Sequence, residues 1–157
     1  MRVTLRSRLL WLPPPGVVGG TALLMWFTGR WGEWGRVELP GLAYLAMPVL
    51  AVGLSVMVAA AIQMMAARTT LLPFHPEQAS RLLTTGVFRW SRNPIYLGDF
   101  LLLLAWLVWL GNLLNLLWLA AFVIYMTRVQ IAAEERALAG KFGKPYLDYC
   151  TRVRRWL

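Results

Sequence analysis

The sequence is poor in the side chains that build metal centres and charge-relay sites. Cys150 is its sole cysteine, so an internal disulfide is impossible and a cysteine-based metal cluster is excluded. His75 is its sole histidine, so a zinc site or a Ser-His-Asp triad would need unusual ligands or geometry, and no metal is expected. Carboxylates are scarce as well: seven Asp and Glu stand against sixteen Lys and Arg, for a formal net charge of +9. The basic residues flank apolar segments instead of clustering on one soluble domain, which argues against nucleic acid as the partner. Anionic headgroups and the positive-inside rule account for them more simply. The chain shows no internal repeat and no low-complexity region. A cleavable signal peptide is not expected, because Pro13-Pro14-Pro15 break the first apolar run and no convincing cleavage site follows.

What the sequence has in abundance is apolar length. Of its 157 residues 59% are hydrophobic and the mean hydropathy is +0.55, beyond what a soluble domain carries. The reading is a single all-α domain, residues 1–157, integral to a membrane, with the lipid bilayer as its first partner. Residues 1–66 hold a basic interfacial segment with Arg2, Arg6 and Arg8, then two spans: Gly16 to about Trp31, and Gly41 to about Ala66, where Pro48 is a point of kinking. Residues 67–157 begin with a connection to Arg92 rich in Arg and therefore cytoplasmic. An apolar hairpin follows, Ile95 to Leu110 and Leu113 to about Arg128, turning at Gly111-Asn112. From Arg128 an amphipathic helical tail runs to Phe142, turns at Gly143-Lys144-Pro145 and lies on the cytoplasmic surface. Four spans with both termini on the cytoplasmic side, in the inner membrane, satisfy every charge cue. The nine Trp suit membrane interfaces.

Two polar islands interrupt this pattern. Leu82 to Gly98 is too rich in Arg to lie in hydrocarbon and ends in Asn93-Pro94, where Asn suits an N-cap and Pro the first helical position. The free N–H groups of that helix start, beside Arg92, would make a small anion site. Glu134-Glu135-Arg136 forms the second island, and the hairpin between them returns both to one membrane face. Asp99, one turn into the first arm, either snorkels or faces a polar cavity.

These islands carry recognisable motifs. Leu82-Leu83-Thr84-Thr85-Gly86-Val87-Phe88, then Arg92-Asn93-Pro94-Ile95-Tyr96-Leu97-Gly98, resembles the L-V-T-x-G and R-H-P-x-Y-x-G stretches of the isoprenylcysteine carboxyl methyltransferases and their relatives the phospholipid methyltransferases. Glu134-Glu135, then Leu138 and Phe142-Gly143-Lys144-Pro145-Tyr146-Leu147-Asp148-Tyr149, resembles the glutamate pair and L-x-x-x-F-G-x-x-Y-x-x-Y that follow in that family. The resemblance covers residues 69–157. It implies an S-adenosylmethionine-dependent membrane methyltransferase with a cytoplasm-facing cofactor pocket and a lipophilic acceptor arriving from the bilayer. Carried over, the cofactor contacts are Ser80, Arg81, Leu82, Leu83, Phe88, Asn93, Pro94, Ile95, Tyr96 and Glu134, supported by Gly86, Gly98 and Glu135. Asn93 stands where the family has His, which excludes general-base chemistry there, so no residue is assigned as acid or base. Gln130 replaces a basic residue, leaving Arg128 and Arg92 as candidate acceptor contacts; Glu135 is expected to pair with Arg128.

The chemistry asks for little else. Methyl transfer from a sulfonium to an anion or free amine depends chiefly on in-line positioning and exclusion of water. Glu134 suits the cofactor's ammonium or a ribose hydroxyl, Arg92 and the Asn93-Pro94 helix start suit its carboxylate, and Phe88, Trp90 and Tyr96 suit adenine. Two rivals remain: a non-enzymatic membrane accessory protein with a degenerate site, and an NADPH-dependent reductase akin to the membrane sterol reductases.

Overall fold

The computed structural model describes residues 12–31, 34–67 and 81–157, and these are helical throughout apart from turns and one isolated bridge. The basic segment 1–11, Glu33, His75 and Ser80 lie outside the described residues. Helix α1, Pro14–Trp31, starts inside the proline run: prolines are tolerated in a first turn, where their missing N–H groups would have no partner. A 3-10 turn, Leu42–Leu45, leads into α2, Ala46–Ala66, and Pro48 sits in the first turn of α2. Helix α3 is Pro94–Leu110.

The second arm of the hairpin departs from expectation. It does not end at Arg128; α4 runs unbroken from Asn115 to Phe142, and the change of sequence pattern coincides with a π-helical turn, Met126–Ile131. Its 28 residues span about 42 Å, so Glu134 and Glu135 come at about the edge of a hydrocarbon core of about 30 Å and the turns after them extend past it. After Gly143 (φ 55°) the short α5, Lys144–Arg152, turns back.

Two helices, Leu42–Ala66 and Asn115–Phe142, are long and apolar enough to cross a membrane. Helix α3 is apolar but has 17 residues. Leu54, Val58, Ile62 and Met65, one stripe of α2, are exposed, as are Leu116, Leu117 and Ile124 of α4. Such a surface belongs in lipid.

Close approach holds α2 to α3. A Cβ on Gly53 would lie 3.0 Å from Leu101 Cβ and 3.2 Å from the Gly98 carbonyl oxygen, and one on Gly98 would collide with Met57. Small residues at a helix crossing let the backbones meet in this way. The α3–α4 turn closes on Gly111 in the left-handed conformation (φ 60°, ψ 38°). It is strapped by residues 34–40: Val37 N–H donates to Gly111 O (2.8 Å) and Leu113 N–H to Gly35 O (2.8 Å).

Helix α1 packs on α3 and α4 around Met25, Leu103, Leu107, Leu119, Phe122 and Met126. Here the tryptophans correct the interfacial reading, since several work inside the bundle. Trp106 Nε1–H donates to Ala22 O (3.0 Å), Trp118 Nε1–H to Thr28 Oγ1 (2.8 Å) and Trp156 Nε1–H to Thr127 Oγ1 (3.0 Å). An indole suits this work, being a large apolar body with a single donor. Asp99 is buried and does not snorkel.

Candidate functional site

The two polar islands meet, as the hairpin requires, where the start of α3 faces the last third of α4. Tyr96, one helical turn into α3 and 5% exposed, donates its hydroxyl hydrogen to Glu134 Oε1. It is a buried partner of that carboxylate and not a residue of an aromatic belt.

Glu135 faces the other way and is held by two arginines, neither of them Arg128. Arg155 grips it with Nε to Oε1 (3.0 Å) and Nη2 to Oε2 (2.6 Å), and Arg92 Nη2 lies 3.1 Å from Oε1. A fork of this kind fixes geometry as well as charge, and its hydrogen bond and charge raise the Arg155 pKa further. Arg128 is exposed on the π turn of α4, away from this cluster.

The helix start also differs in detail from the expected cap. Helix α3 does begin at Pro94, yet the Asn93 side chain makes no capping hydrogen bond. Its amide Nδ2 donates instead to Arg155 O (2.9 Å), while Ser91 Oγ accepts from Asn93 N–H (3.1 Å). Arg92 N–H donates to Arg154 O (3.0 Å). Residues 153–157 are thus laced along residues 91–93 and do not lie loose on the surface, and the Trp156 ring meets Phe100 edge-on (6.5 Å between centroids). Arg92 is engaged by Glu135 and by Cys150 Sγ, which accepts from Nη1, so its charge is matched within the chain.

Between these elements lies a cavity of about 100 Å³. Of the residues expected at the cofactor, Arg81, Leu82, Leu83, Phe88, Asn93 and Glu134 line it, joined by Arg92 and Glu135. Pro94 and Ile95 form the helix start beside it and are not on its wall, Tyr96 stands behind Glu134, and Arg128 is not on the wall either. Gly86 (φ 59°) lies against the end of the Gln63 side chain of α2, and its positive φ is the conformation that favours glycine.

The structure adds Met64, Leu138, Tyr146 and Tyr149 to the wall. The tyrosines were signalled by the Y-x-x-Y spacing, which puts both on one face of α5; nothing in the sequence pointed to Met64. Tyr149 donates to Phe88 O (2.6 Å), and burial pushes its phenol up to about 12, so it stays a donor at neutral pH. Chemically, the wall offers a carboxylate without a cationic partner among the described residues (Glu134), an aromatic face (Phe88) and the exposed Arg81. That set suits a ligand carrying an ammonium, a flat ring and an acidic group.

A 63-residue uncharacterized protein of Haemophilus influenzae is 48% identical over its whole length, covering 40% of this chain. The mouse Delta(14)-sterol reductase TM7SF2 is 34% identical over 76 residues, 46% of this chain and 18% of the reductase. No solved structure matches. The phospholipid methyltransferase family model matches residues 42–145, from the 3-10 turn before α2 to the first turn of α5. With both islands and more than half of its length inside that match, the chain belongs to the phospholipid methyltransferase family.

Proposed function

We propose that the chain is an S-adenosylmethionine-dependent methyltransferase acting on a lipophilic acceptor, with its cavity at the cytoplasmic face of the inner membrane and both termini on that side. The observation that carries this reading is Glu134, a carboxylate on the cavity wall that accepts a hydrogen bond from Tyr96 and has no cationic partner among the described residues. The bound cofactor supplies a methyl carbon on a positively charged sulfur, and transfer leaves that sulfur as a neutral thioether.

This chain's part is binding, orientation and exclusion of water. Glu134 would hold the ammonium or a ribose hydroxyl, and Phe88 would pack on adenine. Arg81 takes over the carboxylate from Arg92, whose charge is already matched by Glu135. The donor set fits the cofactor. The enclosed volume of about 100 Å³ takes a part of it, since sites for molecules of this size span ~300–1,000 Å³.

With Arg92 engaged and Arg128 not on the cavity wall, Arg81 is the one spare cation among the described lining residues for a carboxylate acceptor. An amine on a phospholipid headgroup suits the site better than a prenylated cysteine carboxylate. The similarity to a sterol reductase keeps NADPH as the rival ligand.

The test is equilibrium binding of S-adenosylmethionine and S-adenosylhomocysteine to detergent-purified protein, with NADPH and Glu134→Ala as controls. Micromolar binding of both sulfur ligands, weakened by the substitution, is the expected result. Binding of NADPH alone would transfer the chain to the reductases, and binding of none by folded protein would make it an accessory protein.

A further inference from the structure

The end of the bundle remote from Glu134 carries a second concavity with different chemistry. Arg30, in the last turn of α1, and Arg36, in the strap across the α3–α4 turn, line a cavity of about 490 Å³ together with Trp26, Gly29 and Leu110. The two guanidinium groups come from different elements, and the backbone that spaces them is pinned. Arg36 bridges to Asn112, with Val37 and Leu113 bonded on either side as described above. Helix α1 abuts α3 here, a Cβ on Gly29 lying 3.5 Å from Leu110 Cβ.

Arg30 lies over the Trp26 indole, 5.7 Å from the ring centre. That contact directs the side chain and leaves its charge in place. Among the described residues the ion pairs involve Glu135 with Arg92 and Arg155, and neither Arg30 nor Arg36 has a carboxylate partner. Two cations facing one cavity repel each other, and an anion between them relieves this.

Position indicates which anion. Helix α3 runs from Pro94, beside Glu134, to Leu110 on this second cavity: 17 residues, or about 25 Å. A hydrocarbon core is about 30 Å thick, so the two arginines lie level with the opposite headgroup layer. The positive-inside rule disfavours arginine there, which makes an unmatched pair a feature in need of a partner. Trp26 and Leu110 give the cavity an apolar side on which acyl chains would rest.

We propose that Arg30 and Arg36 bind the phosphate of an anionic phospholipid in the leaflet remote from the candidate methyl-transfer site. Guanidinium forks suit a phosphate's oxygens two at a time, and such a site works whether or not the chain transfers methyl groups.

The test is native mass spectrometry of the full chain in detergent, titrated with phosphatidylglycerol. It compares Arg30→Gln/Arg36→Gln with Lys144→Gln/Arg152→Gln, which removes the same charge from the other end. The first double variant should bind the first lipid about tenfold more weakly, the second as wild type, and Arg30→Lys/Arg36→Lys should recover part of the loss. Thermal unfolding without lipid checks that each variant is folded. Equal weakening in both double variants would reduce the effect to net charge, and no weakening in either would remove the site; each result overturns the proposal. In a parallel arm inorganic phosphate replaces the lipid. Stabilisation of wild type by phosphate, with no saturable phosphatidylglycerol binding, would assign a soluble anion and overturn the lipid assignment.

Discussion

The two ends of α3 treat charge in opposite ways. At the Pro94 end Glu135, Arg92 and Arg155 neutralise one another, and the tail is laced through the same cluster. At the Leu110 end the backbone of the strap is paired, while Arg30 and Arg36 have no carboxylate partner among the described residues. Matched charges hold the architecture; unmatched ones are left for something outside the chain. Glu134 and Glu135 compress that contrast into neighbouring positions, the first on an open wall with a tyrosine behind it, the second clasped by two guanidiniums.

The largest effect that sharpens this contrast is on stability. Glu135→Ala leaves Arg92, 13% exposed, without its carboxylate, and breaking a buried pair from one side costs about 3–5 kcal/mol. Arg155, 38% exposed, adds little to that. Thermal unfolding in detergent should show a large drop for Glu135→Ala and a smaller one for Glu134→Ala, which leaves the buried Tyr96 hydroxyl without its acceptor; equal drops would break the contrast. Gly98→Ala comes next, because a Cβ there meets Met57. Overpacking of about 1–3 kcal/mol is expected, relieved by adding Met57→Ala, and the same unfolding assay reads both.

A smaller effect belongs to Tyr96→Phe, which deletes the hydrogen bond to Glu134 and keeps the ring. A bond to a charged group contributes ~1.5 kcal/mol, so cofactor binding should weaken about tenfold with the unfolding temperature nearly unchanged. At the far end the sign reverses. Asn115 is wholly buried, and neither its amide nitrogen nor its oxygen has a partner among the described residues. Asn115→Leu should therefore stabilise by roughly 1 kcal/mol. A lower unfolding temperature for that variant would mean that the far end is internally matched after all.

Much of this arrangement was legible because local chemistry determined it. Asn93-Pro94 starts a helix through the fixed φ of proline, Gly111 ends one by taking a left-handed φ of 60°, and Gly143 (φ 55°) permits the turn before α5. The convergence of the islands followed from hairpin geometry. What stayed hidden was decided by distant partners. Arg155 meets Glu135 across the Gly143 turn, and no spacing rule connects them. Asn93 looked like a cap because Asn caps well in isolation; the Arg155 carbonyl competes for its amide and holds it. The π turn at Met126–Ile131 has no residue signature, so the change from apolar to amphipathic pattern at Arg128 did not reveal it.

The Gly53–Gly98 crossing has a bearing on traffic. Carbon atoms in contact sit ~3.5–4.0 Å apart, and at this crossing even one added Cβ would be 3.0 Å from Leu101 Cβ. No methylene chain threads between α2 and α3 at that height. Met64, near the end of α2, and Leu138, on α4, face the Glu134 cavity from two sides. For the lipophilic amine acceptor proposed above, the side of the cavity bounded by Met64 and Leu138 is the entry that this crossing leaves to an acyl tail, and bulk introduced at either residue should slow long-chain acceptors more than short soluble amines.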